Sequence, residues 1–264
     1  MSSNRIRHLL VAMIAVFAFG AVVAGAAQAA EPEPTYTKSS KSITAEASVR
    51  YTSMWSRLWS YKQKLVVVCE RDKGTGTVKV KGEDTVAAGL KYTSCTVHEA
   101  KLNTTEKQYE EGPELRCTVA GGGGAAGEIL LPALKSKLVF KSNGLEKELL
   151  VRLEPAVGTT FVELTLAGAE CALAGKFAVT GSVLGWAPRV EPGVPTDKEE
   201  AVMNNVLFET TNFENEVTQR FKTYELAKVV TEDVLKFGAN PAAYESTEQV
   251  ELEASPRGAF GAAL

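Results

Sequence analysis

The stretch TFVELTLAG, Thr160–Gly168, decides the fold class. Val162, Leu164 and Leu166 fall on one side of it, and Phe161, Glu163 and Thr165 on the other. A period of two is the mark of a β-strand with one face buried. The same period runs upstream in KELLVRLEP, where Leu149, Val151 and Leu153 share a face. It runs downstream in FAVTGSVLG, where Phe177, Val179, Gly181 and Val183 do so. Further out, Asn143-Gly144 follows KLVFKS, and both residues tolerate the positive φ of a tight hairpin turn.

Toward the N-terminus, KLVVVCE is a continuous apolar run suited to a buried strand, followed by GTVKVKG and LKYTSCTV with turn residues between them. Toward the C-terminus, NNVLFETTN, FKTYELAKVV and STEQVELEA read as strands. Two segments carry a helical signal. In VRYTSMWSRLWSYKQK, Tyr51, Met54, Trp55, Leu58 and Trp59 recur at helical spacing. TEDVLKFG reads as a helical turn closed by Gly238 and halted at Asn240-Pro241. The expectation is an all-β chain: an antiparallel β-sandwich or barrel of about ten strands, with one or two short helices. It forms a single domain over 45–264, with a Pro/Gly-broken connection at 187–200.

Residues 1–29 have a different character. Arg5, Arg7 and His8 precede the apolar run LLVAMIAVFAFGAVVAGAA, which ends in Ala27-Gln28-Ala29. This is the pattern of a secretory signal peptide cut after Ala29. An uncleaved anchor is the other reading of a run this long. No membrane association is expected after cleavage, and the chain is expected outside the cell or in the envelope. Residues 30–44, rich in Pro, Ser and Thr, read as a flexible lead-in. Loss of Arg5 and Arg7 takes the net charge from −3 to −5. No basic concentration remains to neutralise phosphates, so nucleic acid is not an expected partner.

Cys69, Cys95, Cys117 and Cys171 are separated by 25, 21 and 53 residues. An even number of cysteines in an exported chain reads as two disulfides, with three pairings open. The spacings fit neither a redox motif nor a zinc cluster, and no metal or cofactor is expected.

Gly122, Gly124 and Gly127, in LRCTVAGGGGAAGEILLP, satisfy G-x-G-x-x-G. A dinucleotide loop needs a helix after the glycines, and EILLPALKSKLVF reads as strand, so a permissive turn is expected. His98 is the sole histidine after cleavage. It lies three residues from Cys95, which places the two on opposite faces of a strand and makes no nucleophile–base pair. Glu110-Glu111 and Glu199-Glu200 are carboxylate pairs that a glycosidase would use, although polar context favours a solvated surface. Asn103-Thr104-Thr105 is a formal glycosylation sequon. Tyr51, Trp55 and Trp59 form the one aromatic stripe, read either as core or as a sugar-stacking platform.

The segments CERDKGTGTVKV, YTSCTV, CTVAGGGGAAGEIL, FVELTLAG, VTGSVLG and STEQVELEA resemble those of a family of secreted actinobacterial β-proteins with four cysteines and no assigned activity. The resemblance implies an exported, disulfide-bonded β fold and brings no catalytic residues. In that frame the expected pairing is Cys95–Cys117 with Cys69–Cys171. The first would close a loop worth about 3 kcal/mol.

The expected function is that of a non-enzymatic secreted module, structural, adhesive or ligand-binding, with cell-wall glycan or another secreted protein as partner. A carboxylate-based hydrolase is the alternative.

Overall fold

A computed structural model describes residues 35–38, 41–79, 83–86, 89–103, 108–142, 147–186, 204–208, 221–225, 228–233, 235–252 and 260–263. The signal segment, the Asn143-Gly144 turn, the 187–200 connection and Glu199-Glu200 lie outside the described residues. Every regular element within them is a strand.

β1 (Thr35–Lys38) and β2 (Lys41–Ser42) come from the expected lead-in. β3 (Ala47–Ser60) and β4 (Leu65–Val78) form a long hairpin around a turn at 61–64. β5 (Glu83–Val86), β6 (Lys91–Asn103), β7 (Gln108–Glu114), β8 (Thr118–Gly121) and β9 (Glu128–Leu130) follow. β10 (Leu134–Ser142) and β11 (Lys147–Pro155) make a regular hairpin. Next come β12 (Thr160–Ala167), β13 (Gly175–Thr180), β14 (Val183–Trp186), β15 (Asn204–Phe208), β16 (Phe221–Glu225) and β17 (Lys228–Asp233). The chain ends with β18 (Lys236–Phe237), β19 (Asn240–Leu252) and β20 (Phe260–Ala263). β20 pairs with β1, and β1 with β2, in a separate three-stranded sheet.

The hydrogen bonds close a barrel of nine strands, in the order β3, β4, β6, β9, β8, β12, β13, β18, β19 and back to β3. Closure removes the exposed edges that an open sheet must otherwise protect. β3, β4 and β19 are longer than this barrel needs. Their far halves are joined by β5, β10, β11, β14 and β15 into a second ring of paired strands. All pairings are antiparallel except β8–β9.

The expected alternation holds in β12, where Val162, Leu164 and Leu166 are buried while Glu163 and Thr165 are exposed. Phe161 departs from it. A register shift between Thr160 and Val162 inserts Phe161 as an extra residue against β13 and turns it inward. Leu65, Val67, Val97, Leu164 and Phe237 fill the main core. Burial of each stabilises the fold by about 1.5–3 kcal/mol. KLVVVCE is buried on both faces: Leu65 and Val67 belong to the main core, and Val66 to a second cluster with Trp59, Tyr61, Ala100 and Ala243.

Two expectations of helix are corrected. VRYTSMWSRLWS is strand β3, as described below. TEDVLKFG is the end of β17, then β18, then a turn in which Gly238 takes φ 61°. Leu235 and Phe237, two residues apart, are both buried, and this burial selects strand over helix. Pro241 sits near the start of β19, where a strand tolerates a missing N–H. KLVVVCE and the first residues of GTVKVKG, Gly76–Val78, lie in one continuous strand, β4, and FKTYELAKVV is split between β16 and β17.

Candidate functional site

The aromatic stripe depends on a bulge. Against β4, β3 keeps one register throughout, with Ser53 opposite Asp72 and Ser56 opposite Cys69. Against β19, Ser53 faces Glu248 and Ser56 faces Ser246, so Met54 and Trp55 stand against a single residue. An extra residue in a strand reverses which side chains point inward beyond it. Tyr51 therefore packs on the inner core, while Trp59, 3% exposed, lies in the outer cluster. Trp59 Nε1 donates to Glu245 at 3.0 Å. Trp55 is partly exposed, with the Arg57 guanidinium 5.1 Å from its ring, and Met54 is 79% exposed. The stripe thus divides between two faces of the barrel wall and makes no platform. Its spacing of four misled because four is a multiple of the strand period as well as close to one helical turn.

The bulge frees the Trp55 carbonyl from the ladder. Ser53 Oγ donates to it at 3.3 Å and Ser246 Oγ at 3.2 Å, and both serines are buried. Ser53 Oγ shares its single proton between that carbonyl and the buried carboxylate of Asp72. Among the described residues, no three His, Cys, Asp or Glu side chains group as metal ligands.

His98 lies within β6 on the outer wall. Its Nδ1 faces Gly112 O at 3.2 Å and Glu111 Oε1 at 3.3 Å, and its Nε2 faces Thr96 Oγ1 at 2.9 Å. Nδ1 meets only acceptors, so it carries the proton. Glu111 also accepts from Arg57 Nε at 3.2 Å. Glu110 accepts from Asn103 at 2.6 Å. Adjacent strand residues face opposite ways, and each of these carboxylates is occupied, so Glu110 and Glu111 do not converge on a common space. Nearby, burial, the Glu245 charge and Tyr109 push the Tyr61 phenol well above its ordinary value. The Tyr61 ring packs against Tyr109 at 4.6 Å.

The disulfides are Cys69–Cys95 and Cys117–Cys171, which corrects both pairs expected for Cys69, Cys95, Cys117 and Cys171. Cys69 and Cys95 sit directly opposite in the β4–β6 ladder, a neighbourhood set by register. Cys117 enters β8, and Cys171 follows β12, the strand with which β8 pairs. Beyond Cys117 the glycine run makes a link rarely this short. β8 and β9 are parallel, yet only residues 122–127 join them. Parallel neighbours ordinarily need about a dozen residues or more. Gly124 N donates to Gly121 O at 3.0 Å, closing a turn in which Gly122 and Gly123 take φ 62° and 84°. A Cβ on Gly122 would lie 1.9 Å from Leu130 O. The strand that follows is β9 and not a helix, so the loop lacks the helix N-terminus that a dinucleotide would require.

Inside the barrel lies a cavity of about 70 Å³, lined by Leu58, Val162, Leu164, Val179 and Leu235 among other apolar residues. Its polar lining is Ser56 and the hydroxyls of Tyr92 and Tyr244, which hydrogen-bond to each other at 3.0 Å. Sequence reasoning did not single out these three. Ser56 stood inside a supposed helix, and the two tyrosines are 152 residues apart. A separate pocket, of about 610 Å³, borders the glycine turn, Thr165 and the Glu163–Lys176 ion pair. Comparison with known protein families, curated proteins and solved structures finds no match.

Proposed function

We propose that this chain is a secreted, non-enzymatic β-barrel module of the cell envelope or medium, belonging to the four-cysteine actinobacterial family that it resembles. It acts through its outer surface, as a structural, adhesive or binding element. The observation that carries this reading is where the barrel places its chemistry. Trp59, Tyr92, Tyr244 and both disulfides go into the wall and core, and the interior space of about 70 Å³ is apolar. Sites that enclose a metabolite-sized ligand run to about 300–1,000 Å³, so a glycan or a protein would have to be met from outside. Two disulfides suit an oxidising compartment.

The test is glycan-array binding by the chain beginning at Ala30, beside its W55A variant, together with a panel of glycoside substrates. Binding lost in W55A supports a glycan partner met at the partly exposed Trp55. Binding by neither protein moves the reading to a protein partner. Turnover of a glycoside, lost in E111Q, would overturn the non-enzymatic reading in favour of the hydrolase.

A further inference from the structure

We infer that the barrel cavity is a binding site for a small, uncharged amphiphile of short-chain alcohol type. Ser56 is 3% exposed and lines the cavity, and among the described residues its hydroxyl has no hydrogen-bond partner. A buried hydroxyl without a partner is costly, and a guest with one hydroxyl or carbonyl oxygen removes that cost. The inward position of Ser56 is created by the bulge at Met54–Trp55, which reverses the phase of β3 between Ser53 and Ser56. Ser246 and Tyr244 lie beside it on β19, opposite Ser56 and Leu58.

The rest of the guest must be apolar, because Leu58, Val162, Leu164, Val179 and Leu235 form the remaining wall. It must be neutral, since among the described residues no charged side chain lines the cavity to offset the desolvation of an ion. Its size follows from the volume. A volume of about 70 Å³, against roughly 300–1,000 Å³ for drug-sized sites, limits the guest to a small molecule. A four-carbon alcohol meets all three conditions. This inference is independent of what the outer surface binds.

The test uses the chain beginning at Ala30 with methyl-labelled Val and Leu, titrated with 1-butanol by NMR, and with butyrate and butylammonium as charged counterparts. The expected result is saturable shifts at Val162, Leu164, Val179 and Leu235 for the alcohol and none for the ions. Ser56→Ala, which leaves a smaller side chain and so a folded barrel, should weaken 1-butanol binding about fivefold, the equivalent of one hydrogen bond. Val179→Phe should abolish it by filling the space; methyl dispersion reports whether that variant is folded, and Ser56→Ala decides if it is not. Shifts that rise linearly without saturation, unchanged affinity in Ser56→Ala, or water that the alcohol does not displace would each overturn the inference.

Discussion

The β ladder is broken in two places that matter, and the chain repairs them by opposite means. At residues 121–128 the backbone must reverse and come back parallel within a few residues, and the obstacle is crowding. Glycines solve it by removing side chains where Leu130 O lies close to Gly122. At Met54–Trp55 the backbone bulges, and the obstacle is a carbonyl withdrawn from its partner strand. Ser53 and Ser246 solve it by adding hydroxyls, inside the wall, where the carbonyl lands. Crowding is relieved by having less, and loss of pairing by having more. The first repair is conspicuous in a sequence and the second is not.

The largest effect is expected where the glycine turn is anchored. Cys117–Cys171 spans 54 residues and fixes the entry to the four-residue strand β8. Replacing both cysteines by alanine should cost about 4 kcal/mol of stability, read as a drop in urea midpoint with reducing agent absent. A loss near zero would show that the turn needs no anchor.

Next come two adjacent glycines that separate crowding from conformation. Gly122→Ala places a methyl group 1.9 Å from Leu130 O at φ 62°, while a Cβ on Gly123, at φ 84°, meets nothing within 4 Å. Gly122→Ala should cost about 3 kcal/mol or more, and Gly123→Ala about 1 kcal/mol from backbone strain alone. Equal losses in chemical denaturation would mean that the contact with Leu130 O is not what demands glycine.

The serine repair should be softer. Ser246→Ala removes one of the two donors to the Trp55 carbonyl, for about 1 kcal/mol. Ser53→Ala removes the other and also the Asp72 contact, so it should cost more, about 2 kcal/mol. The reverse order in thermal unfolding would place the weight of the bulge on β19 instead of on the Ser53–Asp72 rung.

These differences also explain what could be read in advance. Alternation in Thr160–Gly168 announced the sheet because burial acts on every second residue of one strand, and local sequence records that directly. The glycine turn was legible for the same reason: φ and crowding are local. The bulge was not, because it is a mismatch between β3 and β19, strands nearly two hundred residues apart. With it went the two faces of Tyr51 and Trp59, and the cavity position of Ser56. The disulfides failed similarly. Which cysteines meet is set by register between β4 and β6 and between β8 and β12, and spacing along the chain carries no register.

The smallest expected effect tests whether the returning strand also relies on charge. Glu128 opens β9 immediately after the glycines and pairs with Lys91 of β6. The hydrogen bond from Lys91, together with its charge and the Ala125 backbone contact, holds the Glu128 carboxyl below its ordinary value, against a smaller upward push from burial. A carboxyl lowered in the folded state stabilises the fold above its unfolded pKa, and that contribution is lost as pH falls through the folded value. Both side chains are about a third exposed, so solvent and salt screen the pair strongly. The unfolding midpoints of the native chain and Glu128→Gln should therefore differ slightly at pH 7, converge as the pH drops toward 3, and lie closer together in high salt. A difference that persisted in acid would mean that Glu128 holds β9 by packing, and that the glycine turn closes without help from charge.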